Sequence, residues 1–211
     1  MTSPGPRTAG SAVQPAGERP KMPVRPRVAR GEEEEEALPA APRSARWEQL
    51  VAEARRLIEK EGTASLTMRR LAERVGIRAP SLYKHFPDKA ALEAAVIATG
   101  LEDTAVAFEA AVDTAPDPLP ALAAAYRQFA LDHPHLYRLM NSGPLPRQHL
   151  PPGLEDRTAA PLVRVAGTQA RARAIWAFAH GMVMLELDHR FPPDADLDAA
   201  WQSGITAFQP A

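Results

Sequence analysis

Between Thr67 and Lys89 lies a dense set of side chains suited to binding an anion. Ser81, Tyr83, Lys84 and His85 fall on what reads as a short helix, Ala79 to Phe86. A hydroxyl, a phenol, an ammonium and an imidazole are donors of the kind that meet phosphate oxygens and base edges. The same four side chains equally fit an ordinary solvated face, and the helix alone does not decide between the two. Arg78, just ahead of it, can reach a phosphate or a guanine edge. Lys89 opens the following helix, where the dipole prefers an anion. A cation there makes sense if a phosphate rests on the free amides.

Other chemistries find little support. The chain has no cysteine, which excludes disulfide scaffolds, thiolate zinc sites and cysteine nucleophiles. His133, His135, His149 and His189 show no ligand-like pairing with carboxylates, so no metal is expected. No Ser-His-Asp order and no glycine-rich phosphate loop is present, so the chain reads as a non-enzyme without a cofactor. His180, in an alanine-rich apolar stretch, is either a polar contact to a small effector or a buried, hydrogen-bonded or interface histidine. Tyr126, Tyr137, Met140, Trp176 and Met184 could line an apolar pocket with it. A plain core is equally consistent with them.

The elements that must hold these residues read as helical. Alanine occurs 41 times in 211 residues against 16 for valine plus isoleucine, a ratio that favours helix over strand. Trp47, Leu50, Val51, Ala54, Leu57 and Ile58 make one apolar stripe, with Ser44 as N-cap and Gly62 beyond the C-terminus. Thr67 can cap a second helix, flanked by Leu66 and Leu71 in staple positions. Gly76 can end that helix in the left-handed region, with Ile77 folding back on it. Only Gly76-Ile77-Arg78 separates it from the third helix, which is helix-turn-helix spacing, although an ordinary helical hairpin shares it. Pro80 is tolerated in the first turn of the third helix, Leu82 and Phe86 face the core, and Asp88 caps the fourth helix.

The run Gly62-x4-Thr67-x3-Leu71-Ala72-x3-Gly76-Ile77-x4-Leu82-Tyr83-Lys84-His85-Phe86-x2-Lys89-x2-Leu92 closely resembles the TetR family of bacterial transcriptional regulators. The resemblance implies an all-α homodimer: an N-terminal three-helix DNA-binding domain on a palindromic double-stranded operator, and a C-terminal domain that dimerises and often takes a small effector. It places Thr67 near the DNA backbone, Tyr83, His85 and Lys89 on phosphates, and Ser81 and Lys84 at the major groove. Two departures stand out. Arg78 replaces a frequent capping serine, and Ala91 replaces a frequent acid, leaving the capping box of the fourth helix incomplete. The family's commoner mode is repression. Regulation without a small ligand, through a protein partner or as an activator, is the alternative, and the irregular stretch over 141–167 makes it credible.

The rest of the chain fits this outline. The net charge of −1 conceals a segregation. Residues 1–42 balance six Lys/Arg against six acids, 43–99 carry eleven against seven, and 100–211 carry eight against thirteen. We therefore expect a Pro-rich disordered tail over 1–42 with its acidic run Glu32 to Glu36, a DNA-binding domain over 43–99, and a dimerisation and effector domain over 100–211. The tail either does nothing, or translation begins later, at Met22 or beyond, or the segment forms a basic arm on DNA with the glutamates as competitor. In the last domain, helices are expected over about 120–132 and 135–140. A weak helix from Leu154 should be short, kinked or split by Pro161. A strong helix capped by Thr168 reaches about His189, and a final one spans about Asp196 to Phe208. The strong helix is apolar nearly all round, so both its faces should be buried, with Gly181 allowing close approach of another helix. Gly181, Leu185, Trp201, Gly204, Ile205 and Phe208 are the expected two-fold interface. The Trp176-x3-His180-Gly181 string also resembles a TetR subgroup named for its Trp-His-Gly motif. The first residues lack a signal peptide's apolar core, and the apolar run Ile175 to Leu185 is too short to span a bilayer. A cytoplasmic protein with no membrane partner is expected.

Overall fold

The computed structural model describes Met1 and residues 44–209. The expected tail over 1–42, with its glutamate run, lies outside the described residues save for Met1. Among the described residues the secondary structure is helical, with no strand. The helices are α1 (Ala45–Glu61), α2 (Met68–Arg74), α3 (Ala79–Leu82), α4 (Lys89–Thr114), α5 (Pro118–Asp132), α6 (Pro134–Asn141), α7 (Leu154–Ala166), α8 (Gln169–Leu187) and α9 (Leu197–Thr206).

Local signals set most of the boundaries. The side chain of Ser44 accepts from the Trp47 amide at 3.1 Å, and Thr67 accepts from Arg70 at 3.1 Å. Asp88 accepts from Ala91 at 2.8 Å, Thr168 from Arg171 at 3.2 Å and Asp196 from Ala199 at 2.9 Å. Each satisfies an amide that the first helical turn leaves free. Gly76 takes φ +67° after α2, and the Ile77 amide returns to the Ala72 carbonyl. Three boundaries differ from expectation. Regular α3 stops at Leu82, and Tyr83 to His85 form a looser turn in which the His85 and Phe86 amides share the Leu82 carbonyl. Phe86 precedes a proline, which disfavours helical backbone there. Helix α5 begins at Pro118, because Pro118 and Pro120 both sit where a missing N–H costs nothing. Pro161 does not split α7, which runs unbroken through it. Its ring is buried and α7 packs along α4, so tertiary contact offsets the lost backbone bond.

Two clusters of buried side chains hold the chain together. The first joins α1, α2, Leu82, Phe86 and the start of α4, and is closed by Leu136 and Leu139 of α6. The second gathers α5, α8 and α9 with Tyr137 and Ala166. Helix α6 therefore faces both clusters. Helix α4 is also shared, and the expected boundary between residues 99 and 100 falls inside it. At Gly100 an added Cβ would collide with the Met140 sulfur, so the glycine seats α6 against α4.

Helix α8 departs furthest from expectation. Only Ala172, Ile175, Ala179 and Val183 are buried, while Trp176 is 49% and Leu185 43% exposed. No described residue that could close on it comes within 4 Å of a Cβ built on Gly181. The close approach occurs instead at Gly204 of α9, against which the Phe178 ring is pressed. Trp201 and Ile205 are 6% and 4% exposed, so their area is covered within the subunit and little remains for a partner.

Candidate DNA-reading surface and ligand cavity

Helices α2 and α3 bring the sequence-expected contact residues onto one end of the molecule. Leu82 and Phe86 are buried, anchoring α3, and Trp47 of α1 packs on the Phe86 ring with centroids 5.8 Å apart. Arg78, Tyr83, Lys84 and Lys89 are left exposed, while Ser81 and His85 are partly covered. Tyr83 is 52% exposed, unusual for a phenol with no packing role.

Ion pairing sorts the cations of this surface. Arg69 holds Glu73 at 2.9 Å, Arg70 holds Glu61, Arg74 holds Glu53 at 2.6 Å, and Lys89 holds Glu93 at 2.9 Å. The Arg74 and Arg56 guanidiniums keep the Glu53 carboxyl below the usual carboxylate range. Arg78 and Lys84 make no ion pair with any described residue. The sequence marked Lys89 as a cation awaiting a phosphate. The structure gives it an acid one turn on, which resolves the unfavourable placement locally. Spacing alone misses this distinction, although Glu93 four residues after Lys89 is a signal that could have exposed it.

The second feature is a cavity of about 630 Å³ walled by α4, α5, α6, α7 and α8. Of the six residues expected at a pocket, Tyr126, Tyr137, Met140 and Trp176 line it. Met184 does not; it packs against the second cluster. His180 also stands off the wall, one residue behind it: its Nδ1 lies 2.7 Å from the Tyr137 hydroxyl. The Tyr137 hydroxyl is in turn 2.7 Å from that of Tyr126. The Trp176 indole N–H bears on the Tyr126 oxygen. Tyr126, Tyr137 and His180 form one hydrogen-bonded chain across α5, α6 and α8, with the Trp176 indole beside Tyr126. Burial pushes both phenols up and the His180 imidazole down, so all four are neutral at neutral pH. The remaining wall is apolar, with Leu101, Phe108, Phe129 and Leu162. Phe108 stacks on Tyr126 at 6.0 Å. Leu101, Thr104, Phe108 and Phe129 had not been marked as wall residues; their helical spacing is indistinguishable from that of a plain core.

No group of three or more His, Asp or Glu able to hold a metal occurs among the described residues. None of the described helices is long and apolar enough to cross a membrane.

A helix-turn-helix with an outward-facing set of donors, joined to a further set of packed helices, defines the class of helix-turn-helix regulators. Comparison with known proteins narrows the class. Residues 50–96 match the family of bacterial regulatory proteins of the tetR type, and residues 119–208 match the tetracyclin repressor-like C-terminal domain. An uncharacterized HTH-type transcriptional regulator of Mycobacterium tuberculosis is 31% identical over 173 residues, covering 77% of this chain and 79% of the relative. A protein of unknown function from Rhodococcus sp. RHA1 shares the fold with TM-score 0.64 at 26% identity, over 80% of this chain and 96% of that one. A possible TetR family regulator from Streptomyces coelicolor A3(2) does so with TM-score 0.59 at 22% identity, over 77% and 96%. The chain belongs to the TetR family of transcriptional regulators, a non-enzymatic class.

Proposed function

We propose that the chain is a cytoplasmic homodimeric repressor that leaves a palindromic operator when a small organic effector enters the cavity. Tyr83, His85, Lys89 and Thr67 hold phosphates, while Ser81, Lys84 and Arg78 reach the major groove. With α2 and Lys89 committed to internal acids, Arg78 and Lys84 are the cations that supply most of the attraction for DNA. The domain arrangement expected from the sequence stands as part of this reading, with α4 continuous across the division. The strip of α8 that carries Ala177, Gly181 and Leu185, on the side away from the cavity, is the face a second subunit covers.

The observation that carries the effector reading is the cavity together with Met140. This side chain lines the cavity and also packs on the cluster beneath the helix-turn-helix. An occupant that favours one position of Met140 thereby favours one placement of α6 and the DNA-reading helices. It shifts the equilibrium only as far as it binds that state more tightly. The test is selection of bound sequences from random duplex DNA, followed by fluorescence anisotropy on the selected site with a panel of organic compounds. Recovery of a palindrome whose binding a compound abolishes supports the reading. A selected site without two-fold symmetry sinks the dimer reading. Binding indifferent to every compound, with no thermal shift from any, favours the alternative of a regulator acting through a protein partner.

A further inference from the structure

Every hydroxyl on the deep wall of the cavity has a place for its proton inside the protein. Thr104 donates to the Gly100 carbonyl at 2.7 Å. Thr158 donates to the Leu154 carbonyl at 2.8 Å, with the Leu101 carbonyl at 3.2 Å. For the two tyrosines, the direction of the chain matters. If His180 donated from Nδ1, Tyr137 would donate to Tyr126, and the Tyr126 proton would have no acceptor. In that direction the proton would depend on water in the cavity for its acceptor. The opposite direction keeps both protons inside the protein: Tyr126 donates to Tyr137, and Tyr137 to an unprotonated His180 Nδ1. The imidazole then carries its proton on Nε2, and His180 is open enough for that N–H to meet solvent. No buried side-chain polar atom among the described residues lacks a partner, consistent with this assignment.

We infer that the deep cavity presents lone pairs and no free hydroxyl protons, and so selects a neutral, largely aromatic ligand that carries its own hydrogen-bond donor, a phenol or an amine, over a carboxylate. The inference rests on the cavity being the effector site. Phe108, Phe129 and the stacked Tyr126 ring give an aromatic ligand faces to pack on. Its hydroxyl then donates to the second lone pair of Tyr126 or Tyr137. A carboxylate is acceptor-only when ionised and would set its lone pairs against theirs, with no hydroxyl of the deep wall donating to it. The donors that remain sit on exposed or half-covered residues. Asn141 already gives one amide hydrogen to the Tyr137 carbonyl at 2.8 Å. Arg147 holds Glu155 through two bonds of 2.8 Å. Gln169 and Arg173 line the exposed α8 side of the cavity, and Arg147 and Arg173 balance Glu155 and Asp156 in charge, so the selection against an anion is made at the deep wall.

Isothermal titration of the full chain with three probes on one ring system decides the matter: phenanthrol, methoxyphenanthrene and phenanthrene carboxylate. The phenol is expected to bind at least about ten-fold tighter than the ether, because a site that accepts a ligand proton rejects analogues lacking it. The carboxylate is expected to bind weakest. In Tyr137→Phe the Tyr126 proton loses its acceptor and turns toward the cavity, so the ether gains and the preference narrows. His180→Leu releases the Tyr137 proton instead, with the same expected narrowing, and serves if the first variant fails to fold. A carboxylate that binds tightest to the wild type overturns the inference while keeping the cavity as a ligand site. So does a phenol-to-ether ratio unchanged in both folded variants. Absence of binding by all three removes the cavity reading itself, and the inference with it.

Discussion

At the scale of single residues, what separates Arg78 and Lys84 from their neighbours is the lack of an internal acid. Replacing Lys84 with Ala removes an exposed side chain and leaves packing untouched. Operator affinity should fall at unchanged thermal stability, and the slope of log affinity against log salt should shrink by about 1. Lys89→Ala should cost less than Lys84→Ala, because Lys89 must first release Glu93; equal losses in an anisotropy titration would refute this ranking. Tyr83→Ala should weaken binding to specific and nonspecific duplexes alike if the phenol meets a phosphate. His180 gives a pH prediction. Burial holds its imidazole below the ordinary value of 6.5, so the folded state takes up a proton less readily than the unfolded chain. The associated stability is therefore whole above that value and is lost as pH falls through the folded-state pKa. The urea midpoint should drop between about pH 7 and pH 5, and His180→Gln should flatten that dependence.

At the scale of elements, the legible parts of the sequence were those fixed by a few adjacent residues. Ser44, Thr67, Asp88 and Thr168 announced helix starts because a cap and the amide it satisfies are three residues apart. Gly76 and Ile77 announced the turn for the same reason. The faces of α8 were not legible, since an apolar side chain reads alike whether its own chain or another covers it. Nor was the Tyr126, Tyr137 and His180 chain, which three separate helices assemble. The two glycines of the closing helices illustrate the difference. Phe178 is held between Trp201 and Phe208, at 5.8 and 5.9 Å, and has little room to retreat from Gly204. Gly204→Ala should destabilise the chain by about 1–3 kcal/mol in thermal unfolding. Gly181 meets no packing neighbour among the described residues, so Gly181→Ala should stabilise an isolated subunit by up to about 1 kcal/mol through helix propensity alone.

For the whole molecule, exposed Leu185 on the side of α8 away from the cavity sets the question of assembly. Sedimentation equilibrium at micromolar concentration should show a dimer. Leu185→Glu should shift it toward monomer while leaving the helical circular dichroism signal intact. A wild-type monomer would end the proposal that α8 is the two-fold face. Helix α6 carries one further consequence. It lends Leu136 and Leu139 to the cluster under the helix-turn-helix and Tyr137 to the cluster of α5, α8 and α9. A fragment ending after α4 would keep every residue that faces DNA yet lose two of the side chains that roof its own interior. Such a fragment should fail to fold, and the intact chain should melt in a single calorimetric transition, because neither half owns a complete core to survive on.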